Sequence, residues 1–466
     1  MFDLKLISGA GQSGFNRQLP FFNWYYPFDE DHDILPNPAL PWWATQDYPI
    51  RRRAVYLHVP FCDTVCSFCP FTRGQYQGTQ VIQDYVDALL AELEMKKHFV
   101  GRCPVDVIFV GGGTPSVLSP EQIETIGDAL RAHFDTSKLV EFSFELEVKT
   151  VTRAKLEAMQ RIGVNRVSFG AQTFSPLQRE VFALDATVQQ VRDVAAMTTE
   201  LFAYTNMDMI YGMAGQRLED LYHDLHEALS LGTTTVDFYP LNNLAAQVRM
   251  LRKIKEAGLE NLSATTRVQY RSELDRCLRQ SEYSRINGYS YSRSQGSPGA
   301  TIQHRPKFQY HDIVYGCHDE AVLGYGASAL SQLPGYNLYN CADRAEYVAR
   351  ARAGSFTWRA FGLGDRREKD IVNFPYRGEL NKSGIRWEDI PVETIAALHE
   401  LVDAGFIIDT GHAYELTTRG WLFYVNLMYH LMPQKGKQWI SNRIAARQAL
   451  GHHCEETILE PISITQ

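Results

Sequence analysis

The sequence predicts an α/β protein built on a parallel sheet, followed by a winged-helix-like module. Three observations predict this. Short apolar runs alternate with amphipathic helical segments from residue 54 to about 240. The apolar runs are nearly continuous, as in strands covered on both faces, rather than alternating as in half-solvated ones. The tail "IPVETIAALHELVDAGFIIDTGHAYELTTRGWLFYVNLMYHLM" reads as a helix, a two-stranded wing with a Gly-His turn, and a helix.

The elements follow in order. "AVYLHV" (54–59) is a short apolar strand. Residues 81–99 place apolar side chains at three- and four-residue steps, which predicts an amphipathic helix. "VDVIFV" (105–110) is the next strand. A helix at 119–134 opens with Ser119 as N-cap and carries Glu121 and Gln122 in its first turn. "VEFSFEL" (140–146) is a strand, and the helix 152–163 ends on Gly163, a residue suited to the left-handed position after a helix. "RVSFGAQ" (166–172), "TNMDMIYG" (205–212) and "TTVDFYPL" (234–241) are later strands, with helices at 186–201 and 217–231 between them. Six such βα steps fit a closed barrel, an open barrel or a doubly wound sheet. All three put their chemistry at the C-terminal ends of the strands.

Residues 242–355 are less regular. They hold a basic amphipathic helix (246–257), a second helix (263–281), a polar stretch "YSYSRSQGSPGATIQHRPKFQYH" and "LGYGASALS". Residues 1–50 are rich in proline and aromatic rings and read as an irregular arm packed on the body. The winged tail lacks a basic recognition helix, so it reads as packing or substrate cover rather than a DNA reader.

Composition excludes several classes. The chain has 466 residues, 45% hydrophobic and 21% charged, the balance of a globular protein with room for more than one domain. A net charge of −8 argues against nonspecific nucleic-acid binding, although "RRR" at 51–53 is a local basic patch. No apolar run is long enough to span a membrane, and the N-terminal stretch has no signal-peptide core. Only three of the eight cysteines cluster, which argues against a secreted disulfide framework and for the reducing cytoplasm.

Those three are Cys62, Cys66 and Cys69, spaced C-x3-C-x2-C just after the first strand. Three thiolates can hold three irons of a 4Fe–4S cube and leave the fourth open to a small chelating ligand. A catalytic zinc site also keeps an open position but usually recruits a histidine. His58 is the nearest, and it lies in the strand rather than the loop.

"YLHVPFCDTVCSFC", "GGGTP", "FELE", "GVNRVSFGAQTF" and "NMDMIYGM" occur in this order. Together they resemble the radical S-adenosylmethionine (SAM) superfamily, and within it the oxygen-independent coproporphyrinogen III oxidase-like family. The resemblance covers roughly 50–335, and the winged tail more loosely. It implies a partial (β/α)6 TIM-like barrel. It divides the chain into the arm (1–50), the core barrel (51–245), a family-specific extension and insert (246–360) and a winged-helix-like domain (361–466). It also implies a 4Fe–4S cluster on Cys62, Cys66 and Cys69, whose fourth iron is bound by the amine and carboxylate of SAM. SAM is then cleaved reductively to a 5′-deoxyadenosyl radical, with electrons from a low-potential donor such as flavodoxin or ferredoxin.

By matching positions, the resemblance assigns Tyr56, Gly112 and Glu145 to the cluster-bound SAM. It assigns Phe68, Gly113, Thr114, Gln172 and Asp208 to a second SAM. The residues themselves agree at two of these. An acid such as Glu145, ending a buried strand, needs a cationic partner, and Asp208 within its strand needs hydrogen-bond donors. Two positions depart from the oxidase. Phe71 stands where the oxidase has a further cysteine, and Leu184 where it has an arginine near the second SAM. Arg179 is a candidate to replace that arginine.

These departures point to the two-SAM methyltransferase branch of the family, which includes anaerobic haem-degrading enzymes. A methyl or methylene group then passes from the second SAM to an sp2 carbon of a conjugated substrate, expected to be a tetrapyrrole. The arm and the insert at 282–315 would build the pocket for this flat molecule. Three other readings compete: methylation or cyclopropanation of an aromatic natural product, the oxidase itself, and a haem chaperone. A chaperone would need an axial ligand, for which His304, His311, His318, His452 and His453 are candidates.

Overall fold

The computed structural model describes residues 26–27, 50–64, 66–69, 74–76, 78–100, 104–241, 248–293, 308–355, 358–362 and 366–449. Most of the aromatic arm, Phe71, the centre of the 282–315 insert with His304, and His452 and His453 lie outside these residues.

β1 (Arg52–Val59) leads into a small parallel pair, β2 (Phe61–Cys62) with β3 (Gly74–Gln75). β4 (Val107–Gly112), β5 (Glu141–Leu146), β6 (Arg166–Gln172), β7 (Tyr204–Tyr211) and β8 (Thr235–Pro240) then join β1 one after another, each parallel to the last. Each of these five strands is added on the same side of the one before. The run from β1 to β8 therefore has no reversal point of a doubly wound fold. It does not close either. β8 pairs with β10 (Ser290–Arg293) and then β9 (Tyr283–Arg285), while β1 pairs on its other side with β11 (Glu320–Tyr325). Of the three arrangements open to six βα steps, this is the open, partial barrel.

The helices between these strands form for the reasons read from sequence. Ser119 Oγ accepts the Gln122 amide at 3.2 Å while Gln122 Oε1 accepts the Ser119 amide at 2.9 Å, a reciprocal capping box. Thr187 and Gln190 repeat this pairing before the helix Val188–Leu201. Gly163 takes φ +91° after the helix Arg153–Arg161, a conformation that favours glycine.

The region read as irregular corrects the expectation. β11 is a seventh parallel strand, and β12 (Leu330–Leu333), β13 (Tyr336–Asn340) and β14 (Trp358–Gly362) extend that edge antiparallel, so one sheet has twelve strands. These strands are short and rich in Tyr, Ser, Asn and Gly. β11 forms by pairing with β1, and each later strand forms by pairing with the one before it, which local periodicity does not announce.

The tail forms the helix Lys369–Arg377, β15 (Glu379–Asn381), the helix Val392–Asp403, β16 (Ile407–Asp409), β17 (Ala413–Leu416) and further helices to Ala449. Its wing has three strands, ordered β15-β17-β16, rather than the expected two. The additional strand is only three residues long and begins after Gly378 in the left-handed region, too short to show a period. One apolar cluster joins this module to the sheet, with Ala54, Val107 and Phe109 packed among Phe308, Tyr310, Phe374 and Tyr376. The module thus sits under the starts of β1 and β4. Glu141 anchors the neighbouring helix Gln309–Val314 by accepting the Gln309 amide at 2.8 Å.

Candidate active site

The ends of the parallel strands gather the predicted residues along one rim. β1 hands directly to β2, so Cys62 is buried just beyond the sheet, while Cys66 and Cys69 are half-buried in the turn that follows. The loop is tied down at several points. The Gly113 amide donates to Val59 O at 2.8 Å, and a Cβ there would lie 2.6 Å from Phe61 O. Only glycine lets the end of β4 lie against the cysteine strand. Thr114 Oγ1 donates to Cys62 Sγ at 3.4 Å. Lys149 Nζ reaches Asp63 Oδ2 and Thr64 Oγ1, both at 3.2 Å. Phe68 meets Phe182 edge to face, and it packs against an apolar cluster that Leu184 also joins.

Gly112 takes φ +119°, and its amide donates to Glu145 Oε2 at 3.0 Å. A Cβ on Gly112 would strike the His58 ring at 2.8 Å. Tyr56 belongs to the same corner, with its hydroxyl 2.7 Å from His58 Nδ1. Tyr56 and Gly112 thus both adjoin His58, and Gly112 is hydrogen-bonded to Glu145. Burial pushes the Glu145 carboxyl up to about 7, against the Gly112 amide and the Arg166 guanidinium. A carboxyl held there gains most from a cation placed beside it.

Gln172 and Asp208 form a second polar group on the next strands. β6 bulges between Gly170 and Gln172, and Gln172 has φ +66°. Gly170 lies directly under the Gln172 side chain, where a Cβ would overlap Nε2. Asp208 accepts from Asn206 Nδ2 at 2.7 Å and from Ser168 Oγ at 3.3 Å. Its expected hydrogen-bond donors thus include these two protein groups. Burial, Asp237 and Glu145 together push its carboxyl well above the usual range.

Arg179 does not replace the arginine lost at Leu184. Its guanidinium donates to Ala171 O at 3.0 Å, to Thr173 O at 2.7 Å and to Ala186 O. It braces the backbone on both sides of Gln172. Two other residues, Arg166 and Asp237, escaped the sequence reading. Arg166 lies over the Phe308 ring at 3.8 Å and acts electrostatically on Glu141, Glu145, Asp208 and Asp237. His58, weighed in the sequence only as a zinc ligand, instead lies against Tyr56 and Gly112. The available signal was strand alternation, because Arg166, Ser168, Gly170 and Gln172 share one face of β6.

The donor chemistry fits a cube better than a single ion. Each thiolate of a 4Fe–4S cube takes its own iron, so the three sulfurs need not converge on one point. Among the described residues, no group of three or more His, Cys, Asp or Glu side chains is arranged to hold one metal ion. The glycines at 111–113 and the buried Glu145 suit a ligand with an amine approaching that corner.

Comparison with known proteins agrees. The radical SAM superfamily model matches residues 56–228. The heme chaperone HemW of Bacillus subtilis is 32% identical over 318 residues, covering 66% of this chain and 78% of its own. An oxygen-independent coproporphyrinogen III oxidase of Cereibacter sphaeroides is 29% identical over 310 residues, covering 65% and 67%. The structure of the Escherichia coli coproporphyrinogen III oxidase HemN, described as a radical SAM enzyme, superposes with a TM-score of 0.73. That match has 24% identity and covers 92% of this chain and 98% of the other. The open barrel, its cysteine loop and these relatives converge: the chain is a radical SAM enzyme, with the 4Fe–4S cluster and SAM that this implies, and belongs to the coproporphyrinogen III oxidase-like family.

Proposed function

We propose that the protein is a methyltransferase of this family that binds two SAM molecules and alkylates an sp2 carbon of a conjugated substrate, a tetrapyrrole. Leu184 in place of the oxidase's arginine sets the reading apart from the oxidase, and one structural observation supports its two SAM molecules. The strand-end rim holds two separate polar groups, Glu145 with Gly112 on β4 and β5, and Gln172 with Asp208 on β6 and β7. One suits the amine of a cluster-bound SAM, and the other suits a second molecule beside it.

When bound, the cluster and SAM supply the radical. The protein's own residues orient the ligands and exclude water. Glu145 would face the amine, and Gly112 and Gly113 let the end of β4 lie against His58 and Phe61, which holds the cysteine strand in place. Phe68 and Leu184 offer an apolar wall, and Gln172 is fixed by the Arg179 brace. The tetrapyrrole assignment follows from relatives named for coproporphyrinogen and heme. A low-potential protein such as flavodoxin or ferredoxin supplies electrons, in the cytoplasm. No helix among the described residues is long and apolar enough to cross a membrane.

The oxidase is the second reading, favoured by the names of several relatives. A haem chaperone gains less from the described histidines. His311 Nδ1 is engaged by Tyr289 and Tyr376, and His318 Nδ1 pairs with Asp370 Oδ2 at 2.8 Å. The deciding experiment is anaerobic: reconstituted enzyme with SAM, a low-potential reductant and haem, reading 5′-deoxyadenosine and S-adenosylhomocysteine together. Both products rising only with haem supports methyl transfer to a tetrapyrrole. Deoxyadenosine unchanged by haem removes haem as substrate. Carbon dioxide from coproporphyrinogen without S-adenosylhomocysteine establishes the oxidase.

A further inference from the structure

The parallel register of β7 and β8 sets Asp208 directly opposite Asp237, a carboxyl that no motif announced. Asp237 is 1% exposed. Tyr239 OH donates to Asp237 Oδ2 at 3.1 Å, and Tyr239 is hydrogen-bonded in turn to Tyr289, with ring centroids 4.2 Å apart. Tyr289 OH lies 3.1 Å from His311 Nδ1, and Tyr376 OH lies 2.6 Å from the same nitrogen. Tyr376 belongs to the helix Lys369–Arg377 of the C-terminal module. A continuous line of hydroxyl and imidazole groups therefore runs from the carboxyl pair down the inside of the barrel into that module.

Charge balance decides what the pair can hold. Glu145 from β5, Arg166 from β6, Asn206 from β7, Tyr239 from β8, and Tyr289 and Ser290 at β10 surround it. Arg166 alone acts on four carboxyls, those of Glu141, Glu145, Asp208 and Asp237. Four ionised acids against one guanidinium would leave uncompensated buried charge, each costing several kcal/mol. Two close carboxylates relieve this by sharing a proton. Burial pushes both acids up, and Asp237 and Glu145 push Asp208 further. His311 is held neutral by burial, with Arg166 adding to the effect, so Nδ1 is able to accept from a tyrosine.

We propose that Asp208 and Asp237 hold one proton between them, and that a cationic ligand group settling beside Asp208 displaces it. The second half rests on the reading of Asp208 as a contact of the second SAM. The ligand's positive charge replaces the proton, which is released to the buffer as the ligand binds. Asp237 is thus a positioning residue that acts through Asp208.

Infrared difference spectroscopy on the whole holoenzyme at neutral pH tests this, with equilibrium dialysis counting bound SAM. Beside the band of Glu145, itself pushed up to about 7, the ligand-free protein should show a second protonated-carboxyl band that is lost in both Asp208→Asn and Asp237→Asn and bleached by SAM. Absence of the band in the unmodified protein overturns the shared proton. Persistence in either variant overturns the sharing, because one acid then keeps its proton alone. A band that survives while two SAM molecules bind overturns the exchange. A count of one SAM overturns the two-SAM reading and the exchange with it, and leaves the ligand-free band to decide the shared proton. Tyr239→Phe should keep the band, because Tyr239 donates to Asp237. Loss of the band in that variant would place the shared proton on Tyr239 and overturn the sharing.

Discussion

Glu145 Oε2 accepts the Gly112 amide at 3.0 Å, tying the ends of β4 and β5 together over the barrel mouth. The same carboxyl is buried and pushed from an ordinary 4.5 to about 7. The unfolded carboxyl ionises first as pH rises and the folded one later, so folding takes up a proton between those values. Stability of the ligand-free protein should therefore fall as pH rises from 4.5 to about 7, by at most about 3 kcal/mol from this group, and level off above. Melting curves across that range should show the decline, and Glu145→Gln should flatten it. An unchanged slope in the variant would assign the effect to other acids.

Cys62→Ala, Cys66→Ala and Cys69→Ala should each abolish SAM cleavage, because each cysteine would hold a different iron of the cube. The readout is 5′-deoxyadenosine formed per enzyme under reducing, anaerobic conditions. Full product formation in any one of the three would remove that cysteine from the site.

Gln172→Ala and Asp208→Ala should impair S-adenosylhomocysteine formation more than 5′-deoxyadenosine formation. Both residues lie one to two strands beyond Glu145, in the second polar group. Equal loss of the two products would place them at the first SAM instead.

Arg179→Ala should cost on the order of 3 kcal/mol, since its guanidinium donates to three backbone carbonyls in a buried turn. The midpoint of a denaturant titration measures this. Arg179→Lys should recover little, because an ammonium cannot span the same fork. A variant as stable as the parent would mean the turn holds Gln172 without the brace.

Gly113→Ala would bring a Cβ within 2.6 Å of Phe61 O, a backbone atom that cannot swing away. The expected cost is about 1–3 kcal/mol, with reduced iron content after reconstitution because the cysteine strand is displaced. Iron analysis and a melting curve check both parts. Normal iron loading would show that the loop tolerates the shift.

The sequence by itself determined the alternation of strands and helices, their caps at Ser119 and Gly163, and the cysteine loop at the end of the first strand. These signals are local. A capping box is complete within four residues, and a buried strand declares itself by an unbroken apolar run. It also marked Glu145 as an acid needing a partner. Tertiary structure alone decided that the sheet stays open, because β11 covers β1 and β10 covers β8, both from a stretch with no readable period. It alone turned Arg179 towards backbone carbonyls rather than a ligand. It also set Asp237 against Asp208, since the register between strands 29 residues apart is fixed by the whole sheet rather than by either segment.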